Sequence, residues 1–118
     1  MHERFEAWQA AHALALEVFA VSDQWPRSEL YVITAQVRRA ALSIPCNIAE
    51  GAAKRGRKEF ARYLNITLGS LAELGYLLRF SRDRGLCEEA HWEALTGLTE
   101  RTGRLLFGLY RRLQRPSA

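Results

Sequence analysis

The sequence predicts an all-α fold, a single domain over residues 1–118 built as an antiparallel up-down-up-down four-helix bundle. Three observations predict it. Apolar residues recur at intervals of three and four along four stretches, the period of one face of a helix. The interruptions between those stretches are short and carry proline, glycine or clustered charge, which favours antiparallel neighbours. No stretch alternates apolar and polar residues with the period of two that a half-buried strand requires.

The first helix runs from Glu6 to Ser22, where Phe5, Trp8, Ala11, Ala15, Val18 and Phe19 keep the spacing, and Trp25-Pro26 stops it. Ser28 is placed to cap the second helix, whose stripe is Ile33, Val37, Ala40, Ile44 and Ile48, ending toward Gly51. Pro45 lies inside that stripe. It removes one N–H and presses on the Ala41 carbonyl, so a kink or a break is expected there, with Ser43 available to cap a fresh helix. The loop Lys54-Arg55-Gly56-Arg57-Lys58 precedes the third helix, and Glu59 stands three residues after Gly56, where a capping box places its carboxylate. Phe60, Leu64, Thr67, Leu71, Leu74, Leu78 and Ser81 then hold strict heptad spacing up to Gly85, a C-cap glycine. The fourth helix starts near Glu88 and runs through Trp92, Leu95, Leu98, Thr102, Leu105, Leu109 and Leu113 to Pro116.

Composition excludes several classes. With 48% hydrophobic and 25% charged residues the chain matches ordinary globular proteins rather than disordered ones. Its apolar runs are far shorter than the roughly 20 residues that span a bilayer, and charge near the N-terminus argues against a signal peptide. A cytoplasmic protein without a membrane partner is expected. Cys46 and Cys87 have no metal-ligand or redox spacing and read as free, mostly buried thiols.

Two features go beyond a plain bundle. On a wheel of the second helix, Tyr31, Ala35, Leu42, Cys46 and Ala49 form an apolar strip away from the core stripe. Between the strips, Gln36, Ser43, Asn47 and Glu50 fall in a sector of about 60°. Either Ser43 and Asn47 bond backbone groups freed near Pro45, or the file sits in a subunit contact where polar groups fix register. The interface residues expected on the second reading are Tyr31, Gln36, Leu42, Ser43, Asn47 and Glu50.

The second feature is charge. The net charge is +4, yet residues 1–53 hold four basic and six acidic side chains, and residues 54–84 hold eight basic and three acidic. In an up-down bundle the loop before the third helix shares one end with the C-terminus of the fourth. Lys54, Arg55, Arg57, Lys58 and Arg62 therefore meet Arg111, Arg112 and Arg115 at one pole, with Glu50 and Glu59 offsetting part of the charge. Such a patch is either a solvated surface or a phosphate-binding one for RNA or DNA, and repetition in a ring would strengthen the second use. No aromatic residue interrupts the basic loop, so base stacking is not expected there.

Chemistry is sparse. One Glu-x-x-His spacing, Glu88 to His91, falls short of the two that a di-metal bundle needs, so no metal or cofactor is expected. Arg84 and His91 are similar in spacing to the motif of HEPN-type ribonucleases, although Gly85 follows Arg84 where that family carries a polar side chain. Catalysis is not expected, and this ribonuclease is the enzymatic alternative.

The strings Gln36-Val37-Arg38-Arg39-Ala40-Ala41-Leu42-Ser43-Ile44-Pro45-Cys46-Asn47-Ile48-Ala49-Glu50-Gly51, Lys58-Glu59-Phe60 and Gly69-Ser70-Leu71-Ala72-Glu73-Leu74 resemble the bacterial four-helix-bundle proteins encoded in intervening sequences of 23S ribosomal RNA genes. Cys46 and Gly56 depart from that pattern, each standing where serine is expected. The resemblance implies a continuous, proline-kinked second helix and a homopentamer. A relative, the accessory variability determinant of diversity-generating retroelements, implies a basic pentamer that binds nucleic acid and a reverse transcriptase. The function expected from residues and resemblance together is a non-enzymatic oligomeric bundle that binds RNA or DNA without strong sequence preference. A protein-binding scaffold with no nucleic-acid role is the alternative.

Overall fold

A computed structural model describes residues 1–116, so the last two positions of the 1–118 domain lie outside the described residues. Four long helices carry the fold: α1 (Glu6–Ser22), α2 (Ala35–Ala53), α3 (Arg57–Asp83) and α4 (Glu89–Gln114). No described residue is in a strand. α1 packs on α2 and α4, and α3 packs on the same two, closing a square of neighbours.

Contacts at the helix ends fix the directions. At one pole the end of α1 meets the start of the second helical segment, where Arg38 donates to Ser22 and Asp23 at 2.9 and 2.6 Å. Glu29 and Arg82 tie in the end of α3 and the start of α4 through Arg84 (3.0 Å) and Glu89 (3.2 Å). At the other pole Arg57, the first residue of α3, donates to the Arg112 carbonyl near the end of α4. The bundle is up-down-up-down, as expected, and measures 52 × 23 × 20 Å.

The core follows the stripes. Leu14, Val18, Val37, Ile44, Ile48, Leu64, Leu74, Leu95 and Leu106 are fully buried. Along α3, Leu64, Thr67, Leu71, Leu74, Leu78 and Ser81 are all buried and only Phe60, at the pole, is partly exposed. Three of the buried hydroxyls are satisfied within their own helices, Thr67 donating to the Tyr63 carbonyl (2.8 Å), Ser81 to Leu77 (2.8 Å) and Thr102 to Leu98 (2.7 Å), whereas the buried Thr34 hydroxyl has no protein partner. A buried hydroxyl with a carbonyl four residues back needs no partner from another helix.

Several local expectations are corrected, whereas α2 runs through Pro45 without a break, the continuous helix that the resemblance implies. Only one N–H is lost there, Ile44 and Ile48 on either side are fully buried, and Ser43 and Asn47 donate to the Ala40 and Ser43 carbonyls at 2.7 Å each. Ser43 thus ties down its own helix instead of capping a new one. Ser28 caps nothing either: a 3₁₀ turn (Arg27–Glu29) is closed by the Glu29 N–H on the Pro26 carbonyl, and a π-helical stretch (Leu30–Thr34) leads straight into α2. Glu59 pairs with Arg62 one turn on instead of completing a capping box. Cys87 is buried as expected, and burial with Glu88 and Glu89 nearby pushes its thiol pKa up; Cys46 is exposed, on the side of α2 turned away from the bundle.

Gly85 ends α3 as expected. At φ 83° it lets the Leu86 N–H reach the Ser81 carbonyl (2.9 Å) while its own N–H bonds Arg82 (3.0 Å), the paired bonds of a Schellman cap. Gly85→Ala is expected to lower unfolding free energy by about 1 kcal/mol, the cost of a Cβ in the left-handed region, measured by urea denaturation.

Candidate nucleic-acid interface

The basic residues reach one pole because α2 ends, α3 starts and α4 ends there. Lys54 is the C-cap of α2, Arg55 and Gly56 form the turn, and Arg57 and Lys58 open α3; all are exposed. Gly56 adopts φ 87°, with open space where a Cβ would stand, so it reverses the chain between α2 and α3 without strain. Arg111 and Arg112 lie in the last turn of α4 and Arg115 is its C-cap. Charge placed there also complements the negative end of the α4 dipole. The Arg57 guanidinium on the Arg112 carbonyl links the two groups directly.

Arg62 lies one turn into α3, is exposed, and pairs with Glu59, which holds its proton more firmly still. Its charge is therefore partly spent locally. Arg4, which the sequence reading did not include, belongs to the pole as well. It lies in the 3₁₀ turn His2–Arg4 ahead of α1 and borders the same cleft as Arg57 and Arg112. Up-down topology alone places the start of α1 there, and that was the signal available. Glu6 at the start of α1 and the Glu3 carboxylate, held down to about 2 chiefly by a bond from the terminal ammonium, are nearby acids.

The basic loop itself carries no aromatic residue, as read, but rings stand on the helices around it. Tyr63 carries the Lys54 ammonium 5.6 Å and the Arg62 guanidinium 4.9 Å from its ring centroid. Phe5 meets Phe60 edge to face at 5.6 Å with Arg4 over its ring, and Arg111 lies over Phe107. These rings stand on the helices beside the loop rather than within it, so reading the loop alone missed them.

The expected interface residues lie on the outer side of α2. Tyr31 is 89% exposed and Leu42 47%. Gln36 and Glu50 are exposed, and Ser43 and Asn47 are half-buried with their donors committed to local carbonyls. Val32 on the same segment and Ile66, Tyr76 and Phe80 on α3 are large apolar side chains also left in the open. α2 and α3 are adjacent and antiparallel, and together with the π-helical stretch that leads into α2 they carry most of the exposed large apolar side chains.

Arg84, at the C-cap of α3, is held by Glu29, and His91 is half-buried in the first turn of α4. No group of three or more His, Cys, Asp or Glu side chains that could hold a metal occurs among the described residues. No helix of the structure is long and apolar enough to cross a membrane.

No curated protein matches the chain. Among solved structures, a protein of unknown function from the S23 ribosomal protein family of Bacteroides thetaiotaomicron superposes with a TM-score of 0.83 at 20% identity, over 94% of this chain and 99% of that one. At that identity the match speaks for the fold. The model of the 23S rRNA-intervening sequence protein family matches residues 3–108, nearly the whole bundle, and the chain belongs to that family.

Proposed function

We propose that this chain is a non-enzymatic, cytoplasmic building block of a homo-oligomeric ring, a pentamer, whose basic poles bind RNA or DNA through phosphates with little sequence preference. The observation that carries the nucleic-acid half is the convergence of Lys54, Arg55, Arg57 and Lys58 with Arg111, Arg112 and Arg115, and with Arg4, at one end of the bundle. Exposed arginines and lysines so placed suit a backbone of phosphates, and each contact adds the release of a counterion. The exposed Phe107 and the half-buried Phe5 and Tyr63 rings beside them supply stacking surface that any base satisfies.

The oligomer half rests on Tyr31, Val32, Leu42, Ile66, Tyr76 and Phe80, large apolar side chains on α2, the stretch leading into it and α3 that a free monomer would leave in water. A second copy is the occupant favoured by the family resemblance. A scaffold for another protein, such as a reverse transcriptase, would use the same surface without requiring RNA at the pole. The ribonuclease alternative is disfavoured by Arg84, whose guanidinium is engaged by Glu29.

Titration of a labelled structured RNA against salt tests the first half. Log K is expected to fall linearly with log salt, with a slope of about −0.7 to −0.9 per phosphate contact. An affinity absent at low salt removes the reading and leaves the scaffold. Cys46 tests the second half. Its exposed thiol is expected to react with a maleimide rapidly in dilute monomer and slowly at concentrations where light scattering gives a ring; equal rates, or a monomer at every concentration, sink the assembly.

A further inference from the structure

The basic pole is not flat. A cleft of about 640 Å³ opens between the start of α1, the start of α3 and the end of α4. That volume lies within the roughly 300–1,000 Å³ of small-molecule sites. Its wall divides by chemistry. Three arginines, Arg4, Arg57 and Arg112, line the cleft with one acidic residue, Glu6, and the apolar lining includes Phe5, Leu109 and Leu113.

The elements around it are fixed before any ligand arrives. Arg57 is held by its bond to the Arg112 carbonyl, which uses one of its five donor N–H groups and leaves the others. Phe5 is braced edge to face by Phe60, and Leu109 is part of the core. α1 begins at the cleft edge with Phe5 as an N-cap that offers no side-chain acceptor, so the positive end of its dipole adds to the arginines. Three planar guanidiniums exceed what a single carboxylate can engage and suit the oxygens of a phosphate. An apolar side with an aromatic member suits the flat body that such a phosphate would carry.

We propose that this cleft is a nucleotide site, with a phosphate held by Arg4, Arg57 and Arg112 and the sugar and base laid against Phe5, Leu109 and Leu113. A free nucleoside monophosphate and the 5′-phosphorylated end of an RNA strand present the same group. The inference deepens the nucleic-acid reading of this pole and rests on it for the strand end alone.

Calorimetry on the full chain at low salt tests it with adenosine monophosphate, adenosine, ribose 5-phosphate and inorganic phosphate. Adenosine monophosphate is expected to bind, with adenosine and inorganic phosphate each at least tenfold weaker. An Arg4→Glu/Arg112→Glu double variant is expected to lose at least tenfold more. Both side chains are exposed, and the Arg112 carbonyl that holds Arg57 survives the change, so an unaltered thermal melt verifies the fold; Arg4→Ala alone, outside any long helix, gives a second, smaller loss. No binding of adenosine monophosphate, equal affinity for inorganic phosphate, or unchanged affinity in the variants overturns the site. Displacement by 5′-phosphorylated but not 5′-hydroxyl RNA supports the strand end. Bound nucleotide that neither RNA displaces supports a free-nucleotide site and removes RNA from this cleft, whereas RNA binding without nucleotide binding overturns the cleft and leaves the pole.

Discussion

Replacing Lys54, Arg55, Arg57 and Lys58 together by glutamate is expected to lower affinity for structured RNA by about a thousandfold near 0.1 M salt and to flatten the salt slope by about three to four. The four residues are exposed, lie within one turn and the start of α3, and have only one acid, Glu59, beside them in sequence. Each removed cation takes one counterion release with it, so the loss is largest at low salt and shrinks as salt rises. Reversal adds repulsion to that loss. The fold should survive, because the four side chains are exposed and the one contact of Arg57, a hydrogen bond to the Arg112 carbonyl at the surface, contributes little to stability. Unchanged affinity with an unchanged slope, measured by fluorescence anisotropy at several salt concentrations, would assign RNA binding to another surface.

A graded outcome is expected within the same pole. Arg62 is paired with Glu59 and lies over Tyr63, so its charge is partly neutralised and its side chain already ordered. Arg55 in the turn has greater freedom to follow a phosphate. A single reversal at Arg55 therefore costs more affinity than one at Arg62, a contrast that net charge alone does not give.

The fold was legible where one physical rule acts alone. The α3 heptad is buried almost position for position because two neighbouring helices pack along its whole length, which keeps one face inward. α4 was harder to read. Leu105, Leu106 and Phe107 are consecutive apolar residues, and periodicity favoured Leu105, whereas Leu106 is the fully buried one. The expected N-caps failed for a related reason. A serine or glutamate at cap spacing has competitors, and at Ser28 and Glu59 a backbone turn and an arginine took the groups concerned. The pole was legible from topology, but only for the segments followed to it. Arg4 and Phe5 arrive there from the start of α1, so the cleft had no signature in any single stretch of sequence. The polar file of α2 was resolved halfway, since the Ser43 and Asn47 donors turn back on their own helix.

Gly51→Val is expected to lower unfolding free energy by about 3 kcal/mol, and Gly51→Ala by about 1 kcal/mol, although a helical glycine normally gains about 1 kcal/mol on becoming alanine. Gly51 is buried in the last turn of α2, and a Cβ there would stand 2.6 Å from the Tyr63 Cβ and 3.0 Å from a Phe60 ring carbon. The Tyr63 Cβ is tied to the α3 backbone, so no rotamer change clears the clash; α2 and α3 must move apart. That displacement would act at the pole itself, where the same turn carries Lys54 and the Phe60 ring braces Phe5. Weakened RNA binding should therefore accompany the lost stability, without any change of charge. Gly108→Ala is the control. Gly108 is exposed in α4 with nothing within 4 Å of the new Cβ, so it should gain stability by up to about 1 kcal/mol. Urea denaturation at constant m-value separates the two, and a Gly51→Ala protein more stable than the parent would mean that α2 and α3 are not this close in solution.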